Sequence, residues 1–171
     1  MSKYFQSIFV TVGTTSFDDL ITTINEPEIV EALEILGCKK LVLQIGSGVL
    51  LSTKNLDNTS IKLETFTTKS NISNFIKVSD LVISHAGAGT CLEVLKAGKN
   101  LIVVINESLM NNHQAELAMK LSEIGCAIYC TTSGLKTALS LEKLNKLKPY
   151  ESSQGIKSLV NTLDILMGNK I

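Results

Sequence analysis

Short apolar runs alternate along the chain with stretches of helical period, and a glycine closes most of them. Ile8–Val12 (IFVTV), Leu41–Ile45 (LVLQI), Asp80–Ser84 (DLVIS) and Leu101–Ile105 (LIVVI) are compact and rich in β-branched or aliphatic residues. Such runs predict strands covered on both faces, with Ile8–Val12 the first and central one. Ile61–Phe66 alternates as a strand does, and Ala127–Cys130 makes a last short one. Between them the period lengthens. Helices are expected at Phe17–Ile24, with Ser16 as N-cap and Asp19 as first-turn acid, and at Glu28–Leu36, opened by Pro27 and closed by Gly37. Asn71–Val78 turns Ile72, Phe75 and Ile76 inward. Thr90–Ala97 stops at Gly98, and a helix begun by Asn111–Gln114 keeps Leu117, Ala118, Leu121 and Ile124 in period up to Gly125. Asn55–Ser60 reads as a polar loop, Leu135–Leu144 as a helix or part of one, and Ser153–Met167 as a final amphipathic helix. Strands and helices in alternation predict an α/β fold, a parallel sheet with helices on both faces.

The chemistry gathers where strands end. Asp80–Glu93 reads DLVISHAGAGTCLE, a strand followed by a glycine turn, His85–Thr90, that opens a helix. Small residues at Gly87, Ala88 and Gly89 let backbone amides approach a ligand, and the free N–H groups of a first helical turn favour an anion there, for which a diphosphate is the fitting group. The same residues also make a plain tight turn, and Thr90-x-x-Glu93 matches a capping box. Ser84 and His85, at the end of the strand beside the glycines, point to the crevice where open α/β sheets take ligands. Gly13-Thr14-Thr15-Ser16 after the first strand is a second turn with hydroxyls and amides to offer, or an ordinary helix start. Glycines at 13, 46 and 87 would bring three loops to one sheet edge, with the Phe66–Ser70 connection beside them as a wall for a nucleobase or as plain core. Asn112, His113 and Gln114 place donors and acceptors suited to sugar hydroxyls at a helix start, or simply cap it.

Charge and composition narrow the classes. Sixteen basic and sixteen acidic residues cancel, without a basic run, which gives nucleic-acid binding no electrostatic support. The apolar runs fall short of the ~18 residues that cross a bilayer, and MSKYFQSIFV lacks a signal-peptide core, so a soluble cytosolic chain is expected. With 171 residues, 44% of them hydrophobic, one sizeable core and a single domain over 1–171 are expected. Cys38, Cys91, Cys126 and Cys130 lack CxxC spacing and suit reduced, buried thiols. Two histidines, no HExxH and no DxD leave no ready metal site. A nicotinamide dinucleotide enzyme fits poorly, because Gly13–Ser16 lacks GxGxxG and no acid ends Leu41–Ile45.

Three stretches, VGTTSFDDLI, SHAGAGTCLEVLKAGKNLIVV and NNHQAELAMKL, resemble in order and spacing the C-terminal, donor-binding half of the lipid-linked GlcNAc transferases of glycosyltransferase family 28. Within that family the length and GTTSFDDL look most like the small cytosolic catalytic subunits of the eukaryotic transferase that adds the second GlcNAc to dolichyl-diphosphate-GlcNAc. The resemblance spans Ser7–Gly125 and, more loosely, the C-terminal helix. It implies a Rossmann-like sheet forming the donor half of a GT-B glycosyltransferase, and inverting transfer from UDP-GlcNAc with a β-1,4 bond formed. It implies that Gly87, Ala88, Gly89 and Thr90 hold the diphosphate, that Glu93 takes the ribose hydroxyls, and that Asn112, His113 and Gln114 recognise the GlcNAc. Gly13, Thr14 and Thr15 would close the donor pocket. His85 would order the phosphate loop or contact the donor, and stands as a tentative catalytic residue, the general base being expected from a partner. No cofactor or bound metal is implied, UDP-GlcNAc being the donor substrate. The partner implied is a membrane-anchored subunit carrying the acceptor domain, which would recruit this chain to the cytosolic face of the endoplasmic reticulum, with the helix at about 153–167 as the contact. A non-catalytic UDP-sugar-binding or regulatory module fits the same residues.

Overall fold

The computed structural model describes residues 3–50, 52–109 and 112–150. Its centre is a six-stranded sheet built from β1 (Ser7–Thr11), β2 (Lys40–Gln44), β3 (Lys62–Phe66), β4 (Leu81–His85), β5 (Asn100–Ile105) and β6 (Ile128–Thr131). The spatial order is β3-β2-β1-β4-β5-β6 and every neighbouring pair is parallel. This is the doubly wound, Rossmann-like order, in which the chain first winds one way from β1 and then the other. The reversal lies between β1 and β4, where Thr11 is in register with Ser84.

Alternating side chains of the central strands feed two cores. Ile8, Val10, Leu41, Leu43, Leu81, Ile83, Ile102 and Val104 pack on one face with α1 (Asp18–Ile24), α2 (Pro27–Ile35), α3 (Lys54–Asp57), α7 (Leu135–Ala138) and α8 (Leu141–Asn145). Phe9, Val42, Val82, Leu101 and Val103 pack on the other with α4 (Ser73–Val78), α5 (Ala88–Lys96) and α6 (Asn112–Glu123). Burial on both sides is why these strands read as unbroken apolar runs. Each fully buried aliphatic contributes ~1.5–3 kcal/mol, so the sheet edge that carries the turns is rigidly held from below. No helix among the described residues is long and apolar enough to cross a membrane.

Local departures from expectation have simple causes. The polar stretch expected as a loop at Asn55–Ser60 begins with the short helix α3, because Leu56 is buried in the first core and Asn25 holds it from outside, accepting from Leu56 N and taking the Asn55 amide on its carbonyl. Leu135–Leu144 is two helices, broken where Ser140 turns extended to cap α8 through Lys143 N. The N-cap of α1 is Phe17, without a side-chain cap bond, so Ser16 does not cap it; the buried Phe17 ring fixes the entry instead. Asp19 does stand in the first turn, beside Asp18. Cys38, Cys91 and Cys126 are buried and Cys130 is partly so, all as free thiols, and burial pushes Cys38, Cys91 and Cys130 up to about 12, which leaves them inert as nucleophiles at neutral pH. The expected helix at 153–167 lies outside the described residues.

Candidate active site at the carboxyl edge of the sheet

Because all strands run the same way, the turns after β1, β2, β3 and β4 meet at one edge. Gly13 and Gly46 both take positive φ, 68° and 62°, and the two turns are tied together where Ser47 N donates to the Thr15 carbonyl. Under them a short polar chain stiffens the edge: the Thr11 hydroxyl donates to Gln44 Oε1 at 2.6 Å, and Gly13 N donates to Thr11 Oγ1 at 3.1 Å. The Thr15 hydroxyl is engaged at home, donating to the Val12 carbonyl.

The turn after β4 is organised by His85. Its carbonyl accepts from Gly87 N at 2.8 Å and from the Ser84 hydroxyl at 2.8 Å, with the Cys91 thiol farther off at 3.8 Å. Its imidazole is wedged between two glycines: a Cβ added at Gly87 would stand 2.5 Å from Nε2, and one added at Gly13 would stand 2.8 Å from Cε1. Nδ1 is buried without a hydrogen-bond partner. Burial holds the ring below the ordinary histidine range, the Thr11 carbonyl opposing it, so the imidazole is neutral at pH 7.

Helix α5 starts at Ala88, with Gly87 as N-cap and no side-chain cap bond. Thr90 is therefore inside the first turn, and the capping-box reading of Thr90 and Glu93 is corrected. Glu93 Oε1 instead accepts from the hydroxyl of Ser73, which opens α4, at 2.5 Å. The amides of Ala88, Gly89 and Thr90 are those a helix leaves without internal partners. Gly87 is not among the free donors, since its N–H is spent on His85. Ser84 is corrected too: it is fully buried and its hydroxyl turns back to the His85 carbonyl, so it faces no ligand space.

Two hollows flank this turn. The first, about 350 Å³, is lined by Gly13, Thr14, Gln44, Lys69–Ser73, Thr90 and Glu93. The second, about 250 Å³, is lined by Thr15, Ser16, Phe17, His85, Ala86, Asn106 and Gln114. The expected site residues thus fall on both sides of one divide. Gly13, Thr14, Thr90 and Glu93 share one hollow, and Thr15, His85 and Gln114 share the other. Ala88 and Gly89 stand at the α5 start between the expected partners, Gly89 exposed with nothing within 4 Å of an added Cβ. Asn112 and His113 open α6, and their side chains lie outside the described ones. Together the hollows offer amides for an anion, a carboxylate for hydroxyls, and small polar groups around a neutral imidazole.

Among the lining residues that the sequence did not single out are Gln44, Asn106 and Lys69. Gln44 is a polar residue ending an apolar strand, a signal that was available. Asn106 follows the last apolar strand in the same way, its Oδ1 accepting from Ser108. Lys69 lies within the Phe66–Ser70 connection expected beside this edge, but its own place had no signal, because it depends on Phe66 and Phe75 coming together in space. Those rings lie 4.9 Å apart and share the Lys69 ammonium, so their faces are taken and the β3–α4 connection walls the hollow with Lys69–Ser73 rather than with the Phe66 ring. Among the described residues no His, Cys, Asp and Glu are gathered for a metal ion.

The glycosyltransferase family 28 C-terminal domain matches the chain over residues 7–163. The UDP-N-acetylglucosamine transferase subunit ALG13 of Homo sapiens is 51% identical over 124 residues, covering 72% of this chain and 11% of that protein. The Saccharomyces cerevisiae subunit of the same name is 30% identical over 181 residues, covering 86% of this chain and 90% of that one. The chain thus spans about a tenth of the human and mouse relatives and 61% of the Candida albicans one. Among solved structures, the NMR solution structure of ALG13 superposes with a TM-score of 0.70 at 26% identity, covering 96% of this chain and 98% of that one. The crystal structure of Acinetobacter baumannii MurG superposes with a TM-score of 0.64 over 98% of this chain and 50% of that one; at 20% identity it speaks for the fold alone.

Proposed function

The chain belongs to the glycosyltransferase family 28 C-terminal domain family, and from that premise we propose that it is the donor-binding, catalytic subunit of a split transferase that moves GlcNAc from UDP-GlcNAc to dolichyl-diphosphate-GlcNAc. The observation that carries the reading is the meeting of the α5 first turn, Gly13–Thr15 and Glu93 at the point where the sheet reverses its winding, the place where open α/β sheets bind nucleotides. The diphosphate lies against the amides of Ala88, Gly89 and Thr90, where the helix dipole adds to the N–H groups. Glu93, one turn further on, accepts from the ribose hydroxyls while the Ser73 hydroxyl, donating to Oε1, holds the carboxylate in place. The sugar lies across the divide, toward Gln114 and the start of α6, with Asn112 and His113 as its further contacts.

In the reaction the acceptor 4-hydroxyl attacks C1 of GlcNAc in line, the C1–O bond to UDP breaks, and the electron pair leaves with the diphosphate. The new bond is β-1,4 and the anomeric configuration inverts. The charge that develops on UDP is met by fixed amides rather than by a metal ion. Neutral His85 stands beneath that turn and positions it. The base that takes the acceptor proton comes from the partner, a membrane-anchored subunit that binds the lipid-linked acceptor, and the complex sits at the cytosolic face of the endoplasmic reticulum.

The test is transfer of labelled GlcNAc from UDP-GlcNAc to a short-chain lipid-diphosphate-GlcNAc, with the chain alone and with the partner. Product only in the combined reaction supports the split enzyme. UDP binding without transfer in either mixture assigns the chain instead to a non-catalytic nucleotide-sugar module.

A further inference from the structure

The wall of the larger hollow carries a charge that the reading above leaves unused. Lys69 lines it together with Thr90 and Glu93, and its Nζ stands 4.5 Å from the Phe66 ring centroid and 4.4 Å from that of Phe75. Phe75 in turn stacks on the buried Phe9 ring at 5.5 Å, so the platform is anchored in the core. An exposed lysine ordinarily sweeps a wide volume. Here two aromatic faces attract the ammonium and confine it. Among the described residues it pairs with no carboxylate. A confined cation, without an ion pair among the described residues, therefore faces the cleft.

Its position along the cleft decides what it meets. The α5 amides lie at one end. Glu93 comes a turn later and is tied to Ser73, and Lys69 lies on the β3–α4 connection that leads into Ser73. A nucleotide laid with its phosphates on α5 and its ribose on Glu93 extends its base toward Lys69. The Phe66 and Phe75 faces are occupied by each other and by the ammonium, so the base meets the charge rather than a bare ring. Resting on the donor reading above, we infer that Lys69 is a base-selecting residue, whose ammonium donates to the 4-carbonyl of uracil. Cytosine presents an exocyclic amine where uracil presents an oxygen, and two donors facing each other leave both unpaired.

UDP and CDP share ribose and diphosphate, so the ratio of their affinities isolates the base. Calorimetric titration of the full chain with each nucleotide is the experiment, on the wild type and on Lys69→Met, which keeps a flexible stem on the two rings but removes the charge. The wild type should prefer UDP by about tenfold or more, and Lys69→Met should bring the ratio to within about threefold by weakening UDP and not CDP. Equal weakening of both nucleotides makes Lys69 a phosphate cation, and no change in either makes it an ordinary surface lysine; each result overturns the inference. If the folded wild type binds neither nucleotide, the donor reading itself fails. If it prefers UDP and the variant prefers UDP equally, the donor reading stands and the role of Lys69 does not.

Discussion

Two of the turns that build the site each depend on a glycine, for opposite reasons. After β2, Gly46 takes φ +62, and an added Cβ would lie 1.8 Å from the Thr15 carbonyl. Backbone conformation and a neighbouring backbone both demand glycine there. After β4, Gly87 has an ordinary extended backbone, φ −79 and ψ 118, and what excludes a side chain is the His85 ring 2.5 Å away. One turn is fixed by the main chain and the other by a single side chain. A third glycine, Gly89, has open space where a side chain would stand, so neither backbone nor neighbour demands it.

These distinctions set an order of effects. Gly46→Ala should be the most damaging, at about 3 kcal/mol or more, since the left-handed conformation alone costs ~1–2 kcal/mol and the carbonyl cannot swing aside cheaply. Urea unfolding measures it, and a loss below ~1 kcal/mol would mean that the two turns yield independently. Gly87→Ala should cost about 2 kcal/mol as a steric overpacking against the imidazole. Made in a His85→Ala background, the same change should cost under ~0.5 kcal/mol, and a double-mutant cycle without coupling would show that the ring is not what requires the glycine.

Gly89→Ala should go the other way in stability, gaining up to ~1 kcal/mol from helix propensity, while UDP affinity should fall about tenfold if a phosphate rests on this exposed first turn and meets the added methyl. A variant that is stabler and binds UDP as before would move the phosphates off this turn. The smallest effect is in pH. The native imidazole, held low by burial, takes up its proton at a lower pH than the unfolded one at ~6.5, so the unfolded state binds more protons below that value. Stability due to His85 should be constant above about pH 7 and decline as pH falls from ~6.5 through the native value. Thermal midpoints of the wild type and His85→Gln, compared between pH 7.5 and 5.5, should diverge only at the acid end; parallel curves would remove the buried imidazole from the pH response.

Most of the fold was legible because it rests on local rules. β-branched runs, Pro27 at a helix start and glycines at helix ends acted where they were expected, and the sheet followed. What was not legible depends on contacts between distant segments. Thr90 looked like a cap because Thr and Glu at that spacing often make one, but Gly87 starts the helix a turn earlier on the His85 carbonyl. Ser84 and His85 looked equivalent at the end of a strand, yet neighbours on a strand face opposite ways and only one reaches a hollow. Gln44 was written in the pattern as a polar residue closing an apolar run. Lys69 was not, since nothing in its own neighbourhood announces a two-ring platform.

The joining of β1 to β4 also bears on when the site comes into being. The Asp80 carboxylate accepts from Gln6 N and Ser7 N, pairs separated by 74 and 73 residues, and the strands run on from there in register. The hollows open at the far end of that same seam. A chain emerging from the ribosome has β1, β2 and β3 available for pairing well before β4 is made, yet the cleft has only one of its walls until the longest loop closes. Closure of this kind is the slow, entropically costly part of folding a parallel sheet. A ligand that needs both walls cannot serve as an early template here; it selects molecules in which the β1–β4 seam has already formed.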